Sequence, residues 1–321
     1  MNADEHRWVR FAVVYVALGV FFALAARAEM SRRPVGAWVA AAVFLCLFWL
    51  VGLVLAPGFG VRGRRLGGWV VMLFLLPYGI YAVGTGDFRV ASLARLAALA
   101  VVPLALYQIA PVRRRRGMNW QDAVVLLWLA VPVFLGWIHR IWTVPVNLDF
   151  MTRLYVLGVG AWAFVVFREL EDTGYEFQYS WRALRDALVN FAAFSAIALP
   201  LGLALRFIAW NPNWRGLGQF GFDLLTLFVF IALPEELFFR GALQNLLEQT
   251  WASRYRAQAV AAVLFGCSHI LHAPVPNWRY VLLAAIAGWF YGSAYRGTRS
   301  LMASATTHAL VDAMWRTWFR A

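Results

Sequence analysis

The sequence predicts an all-α, polytopic transmembrane helix bundle of about eleven spans, on three observations. Hydrophobic residues make up 62% of the 321 positions and charged residues 14%, with a mean hydropathy of +0.64. So little polar surface does not cover a water-soluble globule of this size. Apolar windows long enough to cross a hydrocarbon core of about 30 Å recur near 9–28, 35–56, 66–84, 90–110, 121–139, 150–167, 187–209, 218–239, 257–272, 279–295 and 300–318. No alternating ten-residue pattern of the kind a transmembrane β-barrel needs is present.

Taken in order, the first window follows a mixed-charge start and ends in Ala23-Leu24-Ala25, which resembles a signal-peptidase site. The many spans after it favour an uncleaved anchor. Residues 1–167 hold six windows with few embedded polar groups. The stretch 168–186 (RELEDTGYEFQYSWRALRD) then mixes both charge signs with aromatics, as an interfacial linker or amphipathic helix does. The windows after 187 carry the intramembrane carboxylates and histidines; any window can be re-entrant or lie flat, and those near 150–167 and 257–272 are the shorter ones. No internal repeat pairs the halves as an inverted-topology transporter.

All 29 basic residues are arginine, giving a net charge of +13. They fall in short runs between windows, including Arg62, Arg64, Arg65 and Arg113 to Arg116, which points to lipid headgroups and topology and not to nucleic acid. The N-terminus and even-numbered loops hold most of them, including Arg7, Arg10, Arg168, Arg182, Arg185, Arg254, Arg256, Arg296 and Arg299. The expectation is an integral protein of a bacterial inner (plasma) membrane with a cytoplasmic N-terminus. Cys46 and Cys267 lie in apolar segments as small hydrophobes, so neither a disulfide framework nor a thiolate metal cage is expected.

Two adjacent carboxylates, Glu235 and Glu236, interrupt the apolar run from Phe220 to Phe239, and Arg240 follows. An ionisable group near mid-bilayer is unfavourable by roughly 2.5–3.5 kcal/mol on insertion scales, so its default reading is a functional or paired role. Residues four apart share a helix face: Glu236 reaches Arg240 as a structural ion pair, while Glu235 faces elsewhere. Pro234 removes one backbone hydrogen bond, which a membrane helix tolerates where it lines a wet cavity. The same spacing aligns Phe265 with His269 and His308 with Asp312. Convergence of Glu235, His269, His308 and Asp312 makes a site able to deprotonate water and stabilise an oxyanion, the requirements of peptide-bond hydrolysis.

Plainer readings stand beside these. A Glu-Arg pair at this spacing is commonly a satisfied helix pair, and a lone intramembrane histidine commonly an interhelical hydrogen-bonding group. His272 reads as a helix-end residue, and His6 and His139 as ordinary. Arg95, Arg206 and Asp223 snorkel or pair. Trp69, Trp120, Trp137, Trp210, Trp278 and Trp318 read as interfacial anchors.

The run Glu235-Glu236-Leu-Phe-Phe-Arg240, with Phe265-x-x-x-His269 and His308-x-x-x-Asp312 after it, resembles the three-motif signature of the CPBP family of intramembrane proteases. That family includes the type II CAAX prenyl endopeptidases and bacteriocin-processing relatives. The resemblance covers roughly 187–318 and implies a CPBP-like catalytic bundle over 187–321, the six N-terminal spans of 1–167 standing outside it. It implies Glu235 as the base that activates water with His269, His308 and Asp312 as oxyanion support, and a membrane-associated protein or peptide as substrate. Where the family's prenyl-endopeptidase branch usually has Asn, this chain has Asp312, which donates a hydrogen bond only when protonated. Metal-free Glu/His catalysis with no cofactor is the favoured expectation. Zinc held by Glu235, His269 and His308 is the alternative, though the chain lacks the H-E-x-x-H arrangement. A proton-coupled transporter and a non-catalytic immunity or scaffold protein are the other functional classes that buried Glu, His and Asp allow.

Overall fold

The computed structural model describes residues 34–55, 65–110, 116–144, 148–177 and 179–320, with isolated positions at 13, 15–17, 19–21, 32, 63 and 112. Most of the first apolar window, Ala23-Leu24-Ala25, His6 and the arginines at 7, 10, 62, 64 and 113–115 lie outside the described residues. The chain divides into two units, one within residues 1–115 and 119–171, the other comprising 116–118 and 172–321.

In the first unit the described helices are α1 (Pro34–Leu55), α2 (Trp69–Thr85), α3 (Val90–Ile109), α4 (Trp120–Phe134) and α5 (Phe150–Ala161), the last continued by a wider π-helical turn over Trp162–Phe167. Aromatic rings fill its core: Phe74 meets Tyr155 and Trp162 edge-on at 5.6 and 5.9 Å, and Tyr81 meets Trp142 at 5.3 Å. Its buried charges are paired, as burial demands. Arg168 Nε lies 2.9 Å from Asp122 Oδ1, both side chains fully buried, and the Tyr107 hydroxyl donates to the same oxygen at 2.8 Å. Asp122 also caps α4 by accepting from the Asn119 backbone N–H at 2.7 Å.

The second unit opens with α6 (Trp181–Ala204). The charged stretch 168–186 is therefore not one amphipathic helix. Glu169, Asp172 and Gly174 take positive φ, and the Ser180 hydroxyl caps α6 by accepting from Ala183 N–H. Residues 181–186 belong to α6 and the described part of 168–180 is irregular. A long interrupted helix follows: α7 (Leu217–Leu227), a π segment Phe228–Ala232, α8 (Leu233–Glu236), a π segment Leu237–Gln244 and α9 (Asn245–Thr250). Wide turns flank Pro234, which cannot donate to the helix ladder; helix irregularities gather at such positions. Then come α10 (Arg254–Cys267), α11 (Trp278–Thr298) and α12 (Leu301–Trp318).

Helix α11 packs against α6, α10 and α12, and small residues let the backbones close in. Ala183, Ala294 and Ala303 bring α6, α11 and α12 together, and glycines seat α10 on α11, as in other membrane bundles. A Cβ on Gly266 meets the Val281 carbonyl oxygen at 2.5 Å and Ala285 Cβ at 2.7 Å. Gly266→Val is accordingly expected to destabilise by about 1–3 kcal/mol through overpacking, read as a lower melting temperature in detergent. Gly221→Ala, mid-helix with nothing within 4 Å of a new Cβ, is the control: it should be neutral or stabilising, and equal melting of the two variants would contradict the packing argument. A two-residue antiparallel pair, β1 (Ala209–Trp210) with β2 (Phe319–Arg320), fastens the end of α12, and Trp318 stacks between Trp210 and Trp214 at 5.6 and 5.7 Å.

Four of the described helical stretches are long and apolar enough to cross a membrane: 35–54, 90–109, 150–167 and 181–204, with shorter apolar helices at 69–85 and 120–134. The apolar windows after 217 also form helices, but α10 is too short for that measure and α11 and α12, rich in Ala, Gly, Ser and Thr, fall below its apolarity. The protein is an all-α integral membrane protein.

Candidate active site

The two glutamates of α8 part company at once. Glu236 and Arg240 are fully buried one turn apart, with Arg240 Nε 3.1 Å from Glu236 Oε2 and Nη1 donating to Oε1 at 3.3 Å. The second guanidinium nitrogen, Nη2, donates to the Gly288 carbonyl of α11 at 2.6 Å, and the guanidinium lies 5.0 Å from the Phe265 ring centroid. The Ser304 hydroxyl donates to Glu236 Oε2, and His308 Nδ1 stands 2.9 Å from Oε1. Because a carboxylate only accepts, Nδ1 carries a ring proton. Tyr291 stacks flat on the imidazole at 4.4 Å, and Phe265 meets it edge-on at 5.7 Å.

With Nδ1 tied down, His308 Nε2 faces two further carboxylates, Asp312 Oδ2 at 3.6 Å and Glu235 Oε2 at 4.0 Å. These separations are long for a direct hydrogen bond and suit a bridging water. Whereas Glu236 is sealed, the Glu235 and Asp312 side chains keep 27% and 30% of their surface exposed. The arrangement presents one oriented imidazole between two accessible carboxylates, backed by a buried ion pair.

His269 stands just past the end of α10, its N–H bonded to the Gly266 carbonyl at 3.0 Å. Its Nδ1 lies 2.9 Å from the Phe265 carbonyl oxygen, which assigns the proton there and leaves Nε2 as the basic nitrogen. Phe265 and Tyr280 hold the ring at 5.0 and 4.5 Å, and Glu235 is within its electrostatic reach. His272 lies in the turn beyond, stacked 5.5 Å from His269.

Glu235, His308 and Asp312 thus gather about one nitrogen, with Glu236, Arg240 and Phe265 behind it and His269 across Phe265. Ser304, Tyr291 and Tyr280 complete the site and were not among the residues the motifs single out. Ser304 had a signal, since it continues the four-residue spacing of His308 and Asp312 back by one turn. Tyr280 and Tyr291 had none, being two aromatics in a chain that is 17% aromatic. Both Nδ1 atoms serve protein oxygens and leave Nε2 open, an arrangement that zinc-ligating histidines share, while among the described residues no three His, Cys, Asp or Glu side chains are grouped to hold a metal ion.

Residues 218–314 match the family model described as type II CAAX prenyl endopeptidase Rce1-like. That stretch is similar to an Rce1-like domain, which is consistent with a CPBP family intramembrane protease. No curated protein and no solved structure matches the chain.

Proposed function

We propose that the protein hydrolyses a peptide bond in a membrane-associated protein or peptide by a Glu/His-activated water. The observation that carries this reading is the His308 imidazole, fixed through Nδ1 by buried Glu236 and facing accessible Glu235 and Asp312 through Nε2. Glu235 takes the proton from water as the water attacks the scissile carbonyl, with Nε2 of His269 as the assisting base, and the proton passes to the amide nitrogen as the C–N bond breaks and the amine leaves. His308 Nε2–H donates to the developing oxyanion. Asp312 then need not donate at all: beside Nε2 it favours the charged imidazole that does.

The test is a comparison of membranes holding the wild-type chain with membranes holding Glu235→Gln, by mass spectrometry of protein termini and of peptides retained on the purified variant. Termini present only with the wild type, matched to proteins retained by the variant, identify the substrate. Identical sets of termini would overturn the proposal.

A second expectation concerns metal. Activity should survive prolonged chelation, and metal analysis should find well below one zinc per chain, while His269→Ala and His308→Ala still inactivate. Chelator-sensitive activity restored by stoichiometric zinc would recast His269 and His308 as ligands.

A further inference from the structure

Four side chains one step apart along the interrupted helix, Glu236, Arg240, Gln244 and Glu248, make a polar stripe turned toward α11. An α-helix drifts by about 40° over each four-residue step, and the wider turns of the π segment over Leu237–Gln244 take up that drift, so the stripe holds one face. Its contacts climb α11 in the same order. Arg240 Nη2 donates to Gly288 O, Gln244 Nε2 to Gly292 O at 3.4 Å, and Glu248 Oε2 receives Arg299 Nη1 at 3.2 Å. Across from it Gln258 of α10 donates to Trp289 O at 2.8 Å and to Ser293 Oγ at 2.7 Å. Arg299, just past α11, also donates to both carboxylate oxygens of Asp172, whose side chain is 53% exposed. The stripe runs from the candidate active site to the surface.

Along this line buried polar atoms stand without a hydrogen-bond partner in the protein: Gln244 Oε1, Gln258 Oε1 and Thr298 Oγ1, and Arg240 Nε meets Glu236 Oε2 only as an ion-pair contact. Gln244, Gln258 and Arg240 are fully buried. Flipping the amides does not relieve them, because each Nε2 already donates to two acceptors. Gly292 lies between the two glutamines, and a Cβ there would meet Gln244 Oε1 at 2.7 Å and Gln258 Cγ at 2.9 Å. The two amide oxygens call for a small donor. A cation is disfavoured, since Glu248 is already paired with Arg299. Water supplies donors without charge, and buried polar groups left by the protein are commonly met by bound water.

We propose that a line of bound water occupies the seam between the 236–248 stripe, Gln258 and α11, and hydrates the Glu236–Arg240 pair from the Arg299–Asp172 end, separately from the exposed side at Glu235 and Asp312. The site it reaches is the one read above as hydrolytic, but the seam is testable without any activity. Tyr295 is buried beside Arg299, whose guanidinium lies 5.7 Å from its ring, whereas Tyr155 is buried in the aromatic core of the first unit. In X-ray hydroxyl-radical labelling of the purified full chain in ¹⁸O-water, Tyr295 should take label several-fold faster than Tyr155. The near-isosteric Gln244→Met and Gln258→Met should each lower the Tyr295 rate several-fold. Equal rates at Tyr295 and Tyr155 in the wild type would overturn the proposal even if the variants fail to fold. So would a fast Tyr295 rate unchanged in both folded variants, since the amides would then not hold the water.

Discussion

Glu235→Gln is expected to remove catalysis, by roughly 10²–10⁴ in rate or more for the loss of a general base, while leaving the fold intact. The amide is isosteric, and the Glu235 side chain sits where 27% of its surface remains exposed, so it supports little of the bundle. Its Oε2 stands 4.0 Å from His308 Nε2, a distance across which it acts through water and charge. Melting temperature and detergent extraction should therefore match the wild type. Turnover near that of the wild type, on substrate identified from the membrane comparison, would remove Glu235 from the mechanism.

Much of the site is legible in the sequence because membrane burial makes charge conspicuous. Glu235, Glu236 and Arg240 stand out in an apolar run, and four-residue spacing joins His308 to Asp312 and Phe265 to His269; the structure places Nε2 of His308 3.6 Å from Asp312. Spacing within one helix does not tell which helices meet. That His308 turns its Nδ1 to Glu236 is a contact across 72 positions, and nothing local encodes it. Glu236, read as an ion-pair partner alone, therefore also orients the imidazole. The helical character of the chain was likewise legible from its apolar windows, but the wide turns around Pro234 were not, because the sequence marks a missing donor without saying how the ladder re-forms. The charged stretch 168–186 left two readings open, linker or amphipathic helix, because mixed charge and aromatics describe an interface equally well as helix or as irregular chain; the positive φ at Glu169, Asp172 and Gly174 goes with irregular chain before α6.

The largest loss of stability is expected from Glu236→Ala. Arg240 is fully buried, and deleting its carboxylate leaves a charge away from bulk solvent without its counter-ion, a penalty of roughly 3–5 kcal/mol for a broken buried pair. The same change removes the acceptor for Ser304 and for His308 Nδ1, so activity should fall together with melting temperature. Stability and orientation can be separated by a second variant. Replacing both charges with apolar groups of similar size is often neutral for a buried pair, so Glu236→Met combined with Arg240→Met should recover most of the lost melting temperature. It should not recover turnover, because His308 then lacks the carboxylate that orients its ring through Nδ1. If the double variant is both stable and active, Glu236 serves the fold alone and His308 is positioned by its packing against Tyr291 and Phe265. If Glu236→Ala melts like the wild type, the Glu236–Arg240 pair is not desolvated in the membrane protein and the buried frame behind the site is wrong.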